Sequence, residues 1–238
     1  MQIPSRTSAE NRWLEDDELL ASKLQEPDTC RVKDASAIQA FLSETKRICD
    51  AVSQQDIARA VDVLFEAWKN DRTIFVIGNG GSASTATHLV ADLVQITLTP
   101  HTKRVKAMCL FDNVPLTSAL VNDRGWEDVY VEQLKTFAQK GDVCIGISVH
   151  GGTGKDQAGA WSQNLLKGIQ YVKDLGGPTI GFIGFDGGAM KDIVDVPIIV
   201  PANSTPLVEG FHVVLHHLIA AQLRERIEQE TDISSSRQ

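Results

Sequence analysis

The chain has 238 residues, 42% hydrophobic and 23% charged, which suits one sizeable α/β domain with extra helices and is short for two full domains. A net charge of -8 argues against a nucleic-acid partner recruited by phosphate attraction, yet leaves room for a small anion held by local donors. The opening "MQIPSRTSAENRWLEDDELL" lacks signal-peptide character and no run reaches the roughly 20 apolar residues of a spanning helix, so a cytoplasmic chain without a membrane partner is expected.

Taken in order, the first 70 residues read as helices. "AENRWLEDDELLASKLQE", "DASAIQAFLSETKRICDAVSQQ" and "QDIARAVDVLFEAWKND" repeat apolar residues at three- and four-residue steps. Asp34 is a candidate N-cap for the second, and "PDTCRVK" is the linker candidate between the first two. From Thr73 the rhythm changes. "TIFVIG", "VKAMCLF", "DVCIGIS", "PTIGFIG" and "VPIIV" are short β-rich runs separated mostly by helical stretches. Continuous apolar strands of this kind predict a parallel sheet covered on both faces. "VPLTSALVNDRGWEDVYVEQLKTFAQK" reads as two helices broken at Asp123 to Gly125, and a long final helix carries Pro206 in its first turn. The expected organisation is a helical extension over 1–34, one α/β domain over 35–230 and a tail over 231–238. The cysteines Cys30, Cys49, Cys109 and Cys144 form no CxxC pair, and Cys109 and Cys144 fall in strand-like runs as buried free thiols.

Two strand ends carry chemistry. "VIGNGGS" closes the first strand and opens a helix. Glycines there remove side chains, and the helix N-terminus adds unpaired donors and a positive dipole end, so a phosphate or carboxylate is the natural occupant. Asn79, Gly80, Gly81 and Ser82 form this turn. The pattern is neither a dinucleotide fingerprint nor a Walker loop. The second end, "ISVHGGTGKDQAGAWSQN", brings Ser148, Gly151 and Thr153. A bare tight turn and a surface loop are the plain alternatives. Two hydroxyl- and glycine-rich ends in one sheet favour an anion site between them.

Titratable groups follow on helices. His88 and Asp92 are four residues apart and share a face. Glu209, His212, His216 and His217 lie on the final helix. Spacing alone aligns Glu209, His212 and His216, whereas Glu209 and His217 sit roughly 80° apart around the axis. Packed or solvated helix residues are the bland reading of each. Asp112 and Asp123 can serve as helix caps or contact the hydroxyls of a bound ligand.

With these residues in hand, the chain resembles the sugar isomerase (SIS) family, most of all its phosphoheptose isomerase branch, which also contains a replication-initiation factor that binds the initiator protein. "GNGGSASTATHLVADL", "LVNDRGWEDVYVEQL", "ISVHGG", "NLLKGIQYVKDLGGPTIGFIGFDGG" and "VEGFHVVLHHLIAAQL" recur in the family's order over roughly 35 to 230. The resemblance implies a five-stranded parallel, doubly wound sheet with N-terminal helices, homotetramers, and conversion of sedoheptulose 7-phosphate to an aldoheptose 7-phosphate. It implies phosphate binding by Ser82, Ser148 and Thr153, with Ser162 as an alternative to Thr153. It implies a divalent metal, zinc foremost, on His88, Asp92, Glu209 and His217, with His212 as a neighbour. Catalysis would fall to Asp92, or Glu209, as base and His217 as acid, and substrate contacts to Asn79, Gly80, Gly81, Ser82, Asp123, Ser148, Gly151 and Thr153. The sequence departs from the family at a longer second turn, with His150 where a serine is usual, at Asp92 in place of Glu, and at Glu209 in place of Gln. A non-catalytic adaptor or sugar-phosphate sensor is the competing expectation; loss of the metal-type residues would favour it, and they are retained.

Overall fold

A computed structural model describes residues 35–98, 103–153 and 161–235. The helix expected over 8–26, the linker, the cap at Asp34 and Cys30 lie outside them. The chain divides after Ala40; the described part of the first unit is the opening of helix α1 (Ala35–Ala51). The second unit, Phe41–Gln238, carries everything that follows.

Helix α2 (Gln54–Lys69) begins where Ser53 accepts a hydrogen bond from the Asp56 N–H at 3.2 Å, and it buries Ile57, Ala60, Val61, Leu64, Phe65 and Trp68 along one face. That is the amphipathic period read from the sequence. Five strands follow: β1 (Thr73–Gly78), β2 (Lys106–Cys109), β3 (Val143–Ser148), β4 (Thr179–Gly184) and β5 (Val196–Val200). All pair in parallel, in the order β2-β1-β3-β4-β5. Between and after them run α3 (Gly81–Gln95), α4 (Val114–Arg124), a 3-10 turn (Trp126–Asp128), α5 (Val129–Phe137), α6 (Gln163–Asp174), the short α7 (Met190–Ile193) and α8 (Thr205–Ser235).

The three inner strands are the continuous apolar runs, and β3 and β4 are buried at every residue. A strand covered on both faces has no solvent side, so its sequence need not alternate. Side chains still point alternately up and down. Ile74, Val76, Ile145, Ile147 and Phe182 join one core with α2, α3 and α8, while Phe75, Ile77, Cys144 and Ile183 join a second core with α5, α6 and α7. This is the doubly wound arrangement. Its edges are blunted: β2 is short and carries Lys106, paired to Asp71 at 2.6 Å, and Pro197 sits on edge strand β5. Two carboxylates, the buried Asp142 and the exposed Asp195, pin strand starts. Asp142 accepts the Thr73 N–H at 2.9 Å, and Asp195 accepts the Thr179 N–H at 2.9 Å.

The break expected within 114–140 falls at Gly125, which ends α4. The last helix runs on to Ser235, past the start of the stretch assigned to a tail. Among the described residues no helix is long and apolar enough to cross a membrane. Cys109 and Cys144 are buried free thiols, as their strand context implied, and burial pushes the Cys144 thiol up to about 12.

Candidate active site

In this strand order the chain reverses direction between β1 and β3, and the crevice outside their carboxyl ends is where an open α/β sheet binds ligands. The β1 end is the glycine turn. Gly80 adopts φ +55°, a region open to glycine at little cost. Gly81 is constrained differently: a Cβ there would lie 2.6 Å from Glu209 Oε1. The missing side chain lets the carboxylate of Glu209, from α8, approach the N-terminus of α3, where a negative charge is favoured. The buried Tyr130 hydroxyl donates to the Gly78 carbonyl beneath this turn, and burial holds the phenol above its usual range.

Asn79 and Asn164 exchange reciprocal amide hydrogen bonds of 3.0 and 2.8 Å, tying the β1 end to the first turn of α6. At the β3 end, Ser148 Oγ accepts the Gly151 N–H at 3.1 Å. Between these ends lies a cavity of about 250 Å³. Asn79, Ser82 and Ser148 line it together with Thr205 and Glu209 of α8 and with Ser162 just before α6. Starts of α3, α6 and α8 therefore border one polar pocket. Of the two hydroxyls weighed for the last phosphate contact, Ser162 lines the cavity, whereas Thr153 Oγ1 accepts the Trp161 N–H at 2.7 Å. Gly151 is buried in the turn itself. Asp123 stands apart, exposed near the end of α4 and accepting from the Asn122 amide at 2.7 Å. Asp112 accepts from Thr87 of α3 at 2.9 Å.

One turn farther along α3 is a second constellation. The buried face of α3 runs through Ala83, Ala86, Leu89 and Leu93, and Asp92 falls on it. Small residues let α8 pack closely, and a carboxylate carried into such a contact needs partners. α8 supplies two of them, His216 Nδ1 and His217 Nδ1, each 2.8 Å from Asp92 Oδ2, and α3 itself brings His88 Nε2 to 3.9 Å from Asp92 Oδ1. The three imidazoles also touch, with centroids 4.1–4.7 Å apart, His88 meeting the other two edge to face. Ligand atoms of His88, Asp92, His216 and His217 lie within 4.8 Å of one another. His216 is fully buried, and its Nε2 has no hydrogen-bond partner. Burial pushes its pKa down, opposed by the hydrogen bond to Asp92. His88 and His217 are 49% and 47% exposed, so the group opens to solvent on one side.

Three sequence candidates, His88, Asp92 and His217, thus meet in one group, and His216 joins them. Glu209 faces the phosphate-type cavity across Gly81. His212, one turn before His216, is buried, bonds the Ile183 backbone and has its pKa pushed down to about 4 by burial. Sequence reasoning missed Asn164 and Thr205. Asn164 follows directly on the polar run "WSQ", and Thr205 on "NS" before Pro206; a rule reading every helix start at a strand's carboxyl end as a site wall would have found both.

Fold and cavity put the chain in the class of doubly wound α/β proteins, with a cavity at the switch point of its sheet. More particularly, the chain belongs to the SIS-domain family, whose description matches residues 40–184. A phosphoheptose isomerase of Geotalea daltonii is 34% identical over 193 residues, 80% of this chain and 95% of the relative. A lincomycin biosynthesis protein, LmbN, of Streptomyces lincolnensis is 36% identical over 188 residues, 77% of this chain and 67% of that one. The solved structure of a phosphoheptose isomerase from Francisella tularensis superimposes with a TM-score of 0.72 at 20% identity, over 83% of this chain and all of that one, a likeness of fold.

Proposed function

We propose that the protein is a phosphosugar ketose–aldose isomerase that converts sedoheptulose 7-phosphate to D-glycero-D-manno-heptose 7-phosphate. The observation that carries this reading is the adjacency of two sites: a hydroxyl-lined cavity at three helix starts, and a His/carboxylate group, both served by α3 and α8. The relatives named phosphoheptose isomerase support the substrate class.

The phosphate sits among Ser82, Ser148, Ser162 and the α3 N-terminus, which directs the sugar's C1–C2 end toward α8. The donor set of three imidazoles around one carboxylate fits a divalent cation, zinc foremost. His88, Asp92 and His217 would hold it, with His216 in reach as a fourth donor. When bound, such an ion supplies Lewis-acid polarisation of the C1 and C2 oxygens. Asp92 is engaged by two histidines, whereas Glu209 borders the substrate cavity. Glu209 is therefore the carboxylate that takes the proton from C1 of the ketose and returns it to C2. The ring nitrogen of His217 not given to the ion would move the matching proton from the C1 oxygen to the C2 oxygen.

Self-association into a homotetramer is part of the proposal. Val214 and Leu218, one turn apart on α8, are large apolar residues left exposed, and they flank a 680 Å³ groove shared with α2. Light scattering should give a mass near four times the 26.0 kDa chain; a stable monomer would contradict the assembly.

The metal-assisted reading is tested by elemental analysis. Purified protein should carry about one zinc per chain, and His88→Ala should lose it together with turnover of sedoheptulose 7-phosphate. A protein that converts the ketose with equal rate after complete metal removal would refute that part of the account.

A further inference from the structure

The cavity that takes the phosphate has one wall unlike the rest. His150 and Trp161 line it beside the hydroxyl and amide groups, and Trp161 is 61% exposed. The two rings lie 5.9 Å apart, and His150 is backed on its other side by Phe185 at 4.2 Å. This row follows from the residues in which the second turn departs from the family's serine-rich pattern.

The wall is held in place by backbone contacts. The Trp161 N–H donates to Thr153 Oγ1 at 2.7 Å, and the Thr153 N–H donates to the Trp161 carbonyl at 3.2 Å. Gln163 Nε2 adds a bond to the Thr153 carbonyl at 2.7 Å. The preceding turn is anchored in the same way, with the Met190 and Ala189 N–H groups donating to the Gly151 and Gly152 carbonyls at 2.8 and 3.1 Å. Phe185 itself has φ +53°, a conformation that a bulky residue adopts at a cost and that tends to be kept where a site requires it. Its N–H donates to the Ala202 carbonyl at 3.1 Å, which fixes the strained residue and aims its ring at His150. A solvent-facing indole whose backbone is clasped at the rim of a polar cavity presents a flat face to whatever enters.

We propose that Trp161, positioned by the Thr153 clasp and continued by His150 over Phe185, is the specificity-determining wall for the sugar chain: its face stacks on the polarised C–H edge of the ketose while the hydroxyls hold the phosphate. This rests on the phosphosugar reading above. The negative face of an indole attracts C–H groups flanked by hydroxyls. Inorganic phosphate has no such edge and does not use the wall.

The test separates the two parts of the ligand. Binding of sedoheptulose 7-phosphate and of inorganic phosphate is measured by calorimetry for wild type, Trp161→Ala and Trp161→Phe, with KM and kcat alongside. Trp161→Ala should weaken sugar phosphate binding about 5- to 10-fold, the worth of one stacked aromatic contact, and leave inorganic phosphate within twofold. The loss should fall on KM rather than kcat, and Trp161→Phe should recover most of it. Equal affinities for the sugar phosphate in wild type and Trp161→Ala would overturn the wall alone, as would a parallel loss of inorganic phosphate or a change in assembled mass. A wild type that binds no sugar phosphate at all would overturn the isomerase reading and the wall with it.

Discussion

His212 makes acid sensitivity a quantitative consequence of the fold. It sits on α8 against β4, buried beside Phe182, and it bonds the Ile183 backbone. Burial disfavours its charged form and pushes the pKa from 6.5 to about 4. A base with a depressed folded pKa contributes stability that is fully present above 6.5 and is lost as pH falls toward 4, because over that window the unfolded chain binds the proton and the folded one does not. The gap between 6.5 and about 4, at about 1.36 kcal/mol per pH unit, is about 3 kcal/mol, most of it lost by pH 4.5. Against a total stability of roughly 5–15 kcal/mol this is a large share. The perturbation is His212→Gln, measured by urea unfolding at pH 7.5 and 4.5. At pH 7.5 the variant should be less stable by about 1–2 kcal/mol, the worth of an altered buried hydrogen bond. At pH 4.5 that gap should close or reverse, since the variant has nothing to titrate at 212. Other acid-sensitive groups, His216 among them, act on both proteins alike. A gap equal at the two pH values would refute the claim that His212 is held neutral by burial.

Three further outcomes follow from the site. Ser82→Ala should raise KM for a phosphosugar about 10-fold, given roughly 1.5–3 kcal/mol for a hydrogen bond to a charged group; an unchanged KM in steady-state assays removes Ser82 from the phosphate contacts. In Gly81→Ala the new methyl would stand 2.6 Å from Glu209 Oε1, so the carboxylate must swing away. Turnover should drop at least 10-fold while the melting temperature moves little, because the displaced atom ends a flexible side chain; a thermal shift assay beside kcat checks both. Asp92→Asn, which removes a carboxylate that would hold the ion, should lower zinc content and reduce turnover with it, and a variant with full metal content would place the ion elsewhere.

The sheet was legible because its strands are apolar on both faces. "TIFVIG" and "PTIGFIG" show no period, and in a chain with intervening helices that leaves a covered parallel strand as the natural reading. The glycine turn was legible because the positive φ at Gly80 is a local backbone need, whereas the approach of Glu209 to Gly81 comes from α8, 128 residues on, and left no local signal. The pairing of His216 with Asp92 was not. Residues 216 and 217 differ by about 100° around the helix, and which of them meets α3 depends on how deeply α8 sinks between α2 and α3. Small residues on α3 set that depth, so both histidines reach Asp92 Oδ2 at 2.8 Å. Likewise, the resemblance pointed to Thr153, with Ser162 as its alternative. In the fold Thr153 Oγ1 is engaged by the Trp161 N–H and Ser162 lines the cavity, a difference that depends on how the turn closes.

The central claim, proton transfer between C1 and C2 of a phosphorylated ketose, is tested most directly by incubating the purified protein with sedoheptulose 7-phosphate in deuterium oxide and following both carbons by nuclear magnetic resonance. The account predicts an aldoheptose 7-phosphate carrying deuterium at C2, with label also washing into C1 of the remaining ketose. Zinc-loaded, correctly assembled protein that yields no aldose and incorporates no deuterium into any C5 to C7 ketose phosphate would contradict it and favour a binding role for the same fold.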